Sequence, residues 1–184
     1  MIIIKNNYYL YIENLKDLNF NSLKNNKKIT IILKNIKYNK ILEIKKLIQK
    51  CKSRNIKSYI ANNAKIAKLC NASGLYISAY NKKKYYINIP KIGSAHNLKE
   101  INEKIYQNCN TIIFSRLFKT QYRYKKNNLG VVRFNLINNS STKKLVPLGG
   151  INNKNLLKLN MINSDSFALL SAIKKKPAIT SRLF

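Results

Sequence analysis

"KITIILKNIKYNKILEIKKLIQKCKSRNIKSYIAN", residues Lys28 to Asn62, holds two short apolar runs separated by one helical segment. The runs are "KITIILKN" (Lys28–Asn35) and "KSYIAN" (Lys57–Asn62), each of strand length. Between them Ile41, Ile44, Leu47, Ile48 and Cys51 recur at three- and four-residue steps, which puts them on one stripe of a helix. Strands that are apolar almost throughout are covered on both faces. That is the signature of a parallel sheet flanked by helices.

The same pattern extends in both directions. "YYLYIE" (Tyr8–Glu13) precedes the unit, and "GLYISAY" (Gly74–Tyr80), "KIGSAHN" (Lys91–Asn97) and "TIIFSRLF" (Thr111–Phe118) follow it. "KLVPLGG" (Lys144–Gly150) and "SFALLSAI" (Ser166–Ile173) complete eight strand candidates. "LKEINEKIYQNC" carries a second helical stripe through Leu98, Ile101 and Ile105, while "NAKIAKLCNAS" and "NKNLLKLNMIN" read as shorter helices. Eight strands interleaved with helices predict a closed (β/α)8 TIM barrel as a single domain over residues 1–184. At 184 residues it is compact against the roughly 250 typical of the fold. Little helix fits between the first two strands, and the tail "KKKPAITSRLF" leaves room for at most a short last helix. A flavodoxin-like open sheet is the alternative, and eight strand candidates disfavour it.

Charge is lopsided, with 36 Lys+Arg against 6 Asp+Glu and a formal net of +30. A dedicated nucleic-acid surface would be local and arginine-rich. Here lysine, asparagine and isoleucine dominate every segment and tryptophan is absent, as AT-rich codons would produce. No specific nucleic acid and no membrane is therefore expected as partner, but the charge draws phosphorylated anions towards any cleft. "MIIIKNNYY" is too short an apolar stretch for a secretory leader, so a cytoplasmic location is expected. Cys51, Cys70 and Cys109 lack metal-ligand spacing and read as buried free thiols.

In this fold the site lies at the C-terminal ends of the strands. "LGG" (Leu148–Gly150), "LLS" (Leu169–Ser171), "SAH" (Ser94–His96) and "SRLFKT" (Ser115–Thr120) would ring one mouth. Two adjacent glycines let the backbone approach a ligand closely and adopt positive φ. Their N–H groups, joined by those at the corner after strand eight, can surround a phosphate, with the Ser171 hydroxyl as a further donor.

Taken in order, "NNAKIAKLCNASGLYIS", "IGSAHNLKEI", "TIIFSRLFKT", "LVPLGGI" and "FALLSAI" resemble the ordered motifs of the thiamine phosphate synthase and thiazole tautomerase family. The resemblance covers nearly the whole chain. It implies a (β/α)8 barrel that joins hydroxymethylpyrimidine pyrophosphate to thiazole phosphate and releases pyrophosphate, with magnesium assisting the leaving group. By position it implies that Gly149, Gly150, Leu170 and Ser171 hold the thiazole phosphate and that Ser94 lies beside the reacting pyrimidine. Thr120, with Arg123 or Lys125, would contact ligands from the loop after strand six. His96, the single histidine, falls where the tautomerase places its acid/base.

The departures sit together. The family's two magnesium-binding aspartates become Asn62 and Asn81, and Lys34 stands for a strand-two arginine. Tyr76 replaces a histidine, and Arg116 a proline. Magnesium prefers charged oxygen ligands, so its use is placed in doubt. Lys34, Lys119 and Arg123 could supply positive charge in its place. The synthase-like reaction ranks first, then a tautomerase-like isomerase, then a phosphate-ligand-binding barrel without catalysis. Phosphorylated small molecules are the expected partners, and a homodimer is left open.

Overall fold

Eight parallel strands close on themselves in chain order. They are β1 (Asn7–Ile12), β2 (Ile29–Leu33), β3 (Lys57–Ala61), β4 (Gly74–Ile77), β5 (Lys91–Ala95), β6 (Thr111–Ser115), β7 (Lys144–Leu148) and β8 (Ser166–Leu169). The computed structural model describes residues 7–15, 28–35, 38–120, 127–152 and 154–169. All eight expected strands are present; β1 is shifted one residue earlier than its expected run, and the others lie within theirs. The expected short last helix, and residues 16–27 between β1 and β2, lie outside the described residues. Among the described residues no helix is long and apolar enough to cross a membrane.

Among the described residues four α-helices cover the barrel: α1 (Ile41–Ser53), α2 (Ala64–Leu69), α3 (Leu98–Tyr106) and α4 (Gly130–Ser140). The α1 stripe packs as its spacing predicts, with Ile44, Ile48 and Cys51 fully buried and Ile41 and Leu47 partly so. Leu98 does not follow its stripe. It is the first residue of α3 and is 58% exposed. The segment "NKNLLKLNMIN" forms a 3-10 helix, Leu156–Met161, rather than an α-helix, and buries only Leu159. No helix joins β4 to β5; residues 78–90 are irregular.

Strand alternation separates two cores. Leu10, Ile31, Ile60, Leu75, Ile112, Leu145 and Phe167 point outward to the helices. Tyr9, Tyr11, Ile32, Tyr59, Tyr76, Ile92, Ile113, Val146 and Ala168 fill the barrel itself. Four of these nine interior side chains are tyrosines, so the lumen carries hydroxyls that need partners. Tyr11 donates its hydroxyl to that of Tyr76 at 3.1 Å, with the rings edge-on at 5.5 Å.

Asparagine ends α1, α2 and α3. Asn55, Asn71 and Asn108 have positive φ and follow the caps of α1, α2 and α3. In each, the asparagine N–H and the next N–H return to carbonyls of the last turn, as Asn55 to Lys52 and Ile56 to Cys51. That is the Schellman closure usually made with glycine. Asn63 and Asn97 cap the starts of α2 and α3, accepting from the N–H groups of Ile66 and Glu100.

Candidate active site at the barrel mouth

The glycine corner follows β7. Gly149 and Gly150 have φ of +100° and +72°. Leu148 and Gly149 accept hydrogen bonds at their carbonyls from the N–H groups of Leu117 (2.9 Å) and Phe118 (3.1 Å). The Gly150 carbonyl accepts from the side chains of Asn152 (3.2 Å) and Asn155 (2.7 Å). The carbonyls are thus tied back, while the N–H groups of Gly149 and Gly150 donate to no other described residue. Tied carbonyls with open N–H groups make an anion-receiving corner. Leu148 pairs with Ala168, so this corner adjoins the end of β8. Leu170 and Ser171, and Arg123 and Lys125, lie outside the described residues.

The sequence reading missed a cation here. Arg116, just past β6, runs its stem along Gly149, where a Cβ would meet Arg116 Cγ at 3.1 Å. Its Nη1 donates to Thr120 Oγ1 at 3.4 Å, which holds Thr120 at the same corner. Register could have found it: Ser115 pairs with Leu148, so the next residue of each strand must be neighbours. Lys119 is exposed nearby.

His96 follows β5, one strand further round. Its Nδ1 lies 2.7 Å from Oγ of Ser115, a buried hydroxyl at the end of β6. The backbone beneath it is fixed as well. Glu100 accepts from His96 N–H at 2.7 Å and from the Asn97 amide at 2.9 Å. Engaging Nδ1 turns Nε2 towards proton exchange with a bound molecule. Ser115→Ala should release the ring and shift its tautomer ratio roughly fivefold, the equivalent of about 1 kcal/mol for one hydrogen bond. Nitrogen-15 NMR reads this without assignment, because the chain has one histidine. An unchanged ratio would mean that Ser115 does not hold it.

Ser94 is buried and points into the barrel, two residues after Ile92. It faces the phenol of Tyr76, which burial pushes above its ordinary pKa while Ser94 and Tyr11 oppose the shift. Ser94 therefore links the His96 side of the mouth to the opposite side.

That opposite side is cationic. Lys34, directly after β2, places Nζ 4.2 Å from the Tyr11 ring centre and 5.7 Å from that of Tyr76. Burial lowers its pKa, and Glu13 counteracts this. Asn62, after β3, and Asn81, after β4, are hydrogen-bonded to each other, Nδ2 of Asn81 donating to Oδ1 of Asn62 at 3.0 Å. Asn62 Oδ1 also accepts from Ser78 N–H, and Asn81 Oδ1 from Lys83 N–H, both at 2.9 Å. Magnesium needs oxygen ligands that are charged and available. Asn62 and Asn81 are neutral and their side-chain oxygens are engaged. No group of three histidines, cysteines or acidic residues that could hold a metal occurs among the described residues. The residues here do not fit magnesium.

A groove of about 310 Å³ opens at the other end of the barrel, lined by Asn138, Lys143, Lys144 and Asp165 among others. It contains the half-exposed Lys144–Asp165 ion pair at 3.0 Å and none of the groups described above.

Comparison with known proteins addresses the family and the barrel. A thiamine-phosphate synthase from Prochlorococcus marinus is 31% identical over 139 residues. That alignment covers 72% of this chain but 40% of the relative, so the chain spans well under half of its length. The thiamine phosphate pyrophosphorylase from Pyrococcus furiosus superposes with a TM-score of 0.76 at 19% identity, over 98% of this chain and 94% of that one. The 2-keto-3-deoxy-6-phosphogluconate aldolase of Zymomonas mobilis superposes at 0.63 with 12% identity, over 98% and 92%, which reflects the shared barrel alone. The family described as thiamine monophosphate synthase matches residues 23–173, from before β2 to beyond β8. With the family model over most of the barrel and a relative 31% identical, the chain belongs to the thiamine monophosphate synthase family.

Proposed function

We propose that the chain is a thiamine phosphate synthase-like transferase of the cytoplasm. Thiazole phosphate binds on the β5–β8 side of the mouth, its phosphoryl group received by the N–H groups of Gly149 and Gly150 with Arg116 alongside. The pyrimidine pyrophosphate lies across the lumen towards Lys34 and the Tyr11 and Tyr76 rings. The bond between the pyrimidine methylene carbon and the pyrophosphate oxygen breaks, and both electrons leave with the pyrophosphate. The thiazole nitrogen then donates its lone pair to that carbon, forming the new C–N bond. Lys34 meets the charge that develops on the leaving group from a half-buried position.

The observation that carries this reading is the glycine corner, with carbonyls tied back and N–H groups that donate to no described residue. The test is calorimetry with thiazole phosphate, followed by a pyrophosphate-release assay with both substrates. Micromolar binding with release supports the synthase. Binding without release turns to a second reading, which the His96–Ser115 contact favours: a tautomerase-like isomerase that moves a proton on a thiazole carboxylate phosphate. His96→Ala should then slow proton exchange on that substrate by about a hundredfold or more. No binding of either phosphate would end both readings.

A further inference from the structure

We infer that the loops after β3 and β4 are locked to each other by an amide network occupying the position where two carboxylates would need a bridging cation, so that this mouth works without a divalent metal. The network is complete in itself. Asn62 Nδ2 donates to Ser78 Oγ (2.6 Å) and to the Tyr80 hydroxyl (3.1 Å). Its Oδ1 accepts from Ser78 N–H and from Asn81 Nδ2. Asn81 Nδ2 also donates to the Tyr85 hydroxyl at 3.0 Å, and that hydroxyl donates to the Asn62 carbonyl at 2.9 Å. The lock therefore joins side chain and backbone on both loops. Two carboxylates about 3 Å apart repel and call for a cation between them. Two carboxamides attract as donor and acceptor, so replacing both acids by amides keeps the contact and removes the need for the ion.

A second feature points the same way. The Asn81 carbonyl accepts from Lys104 Nζ at 2.8 Å and from Gln107 Nε2 at 2.9 Å. Lys104 is fully buried, its stem lies against Gly93, and its ammonium also donates to Gln107 Oε1 at 2.8 Å. A fixed positive charge thus already anchors the loop that would have to hold a dication. With Lys34 across the mouth, the local field opposes a second cation. The inference concerns the chain's own residues, and its test uses the metal alone, so it stands or falls independently of the synthase reading.

The experiment compares thermal unfolding of the wild-type chain and of Asn62→Asp/Asn81→Asp, in magnesium chloride and in sodium chloride of equal ionic strength. The wild type should melt within about 1 °C in the two salts. The double variant should melt lower in sodium chloride. Magnesium at about ten times its dissociation constant should then raise its midpoint by roughly 3–6 °C. Wild type stabilised by submillimolar magnesium would overturn the inference, as would a double variant as stable as wild type and indifferent to the metal. Should the double variant fail to fold, Asn62→Asp alone is read the same way. The wild-type comparison decides regardless.

Discussion

Gly150→Ala should be among the most damaging single-methyl additions in this chain, lowering stability by roughly 2–5 kcal/mol. Two effects add. At φ of +72° an L side chain is strained by about 1–2 kcal/mol. The new Cβ would also lie 2.4 Å from the Phe118 carbonyl oxygen and 2.7 Å from that of Lys119. Those atoms are backbone and cannot swing aside, and forced overpacking of this kind typically costs 1–3 kcal/mol. Gly130→Ala supplies the control. Its φ is +69°, nearly the same, but nothing lies within 4 Å of the added carbon. It should show the strain without the collision. Urea unfolding of the two variants therefore isolates the contact between the corners after β6 and β7. Displacing that corner by even a few tenths of an ångström moves the N–H groups, so affinity for a phosphate ligand should fall at least tenfold, about 1.4 kcal/mol. Equal destabilisation at Gly150 and Gly130 would show that the two corners do not touch as described.

The second large effect is alkaline unfolding. Burial pushes the thiols of Cys51 and Cys109 from 9.0 up to about 11. Both are fully buried, so the folded state keeps its protons while the unfolded chain releases them. The contribution is intact below pH 9, is lost progressively from pH 9 to 11, and amounts to roughly 2–3 kcal/mol for each thiol. The barrel tyrosines extend the loss. Tyr59 is pushed up to about 12, and Tyr9, Tyr11 and Tyr76 shift in the same direction, chiefly through burial. Lys34 and Lys104 act oppositely. Burial lowers their pKa, so the unfolded state binds more protons in that window and stability rises with pH. Four tyrosines and two thiols outweigh two lysines. Urea midpoints measured under reducing conditions should be nearly flat to pH 9 and then fall steeply. Cys51→Ala should lose stability at neutral pH and show a shallower slope above pH 9. A flat profile to pH 11 would mean that these groups are wet.

Strand identity was readable because a parallel strand buried on both faces is apolar without interruption, as Ile29–Leu33 is. Helix α4 was not. Its apolar residues are scattered around the helix, so that Phe134 is buried while Val132 and Leu136 are 74% and 66% exposed, and no stripe marks it. The glycine corner was legible because adjacent glycines are a local signal. Contacts across strands were not. Ser115 stands 19 residues from His96, and only the closure of β5 on β6 brings them to 2.7 Å. Asn62 and Asn81 show the limit best. Read singly, each is a lost metal ligand; folded, they are each other's partner.

The five described non-glycine residues with positive φ, Asn35, Asn55, Asn62, Asn71 and Asn108, are all asparagine. A coding bias that starves a chain of glycine removes the residue best suited to left-handed turns, since most side chains are excluded there. Asparagine is the exception that AT-rich codons supply in abundance. The barrel has thus been rewritten in a narrower alphabet with its bends intact. At Gly150 even asparagine cannot stand in, because neighbouring backbone occupies the space a Cβ would need.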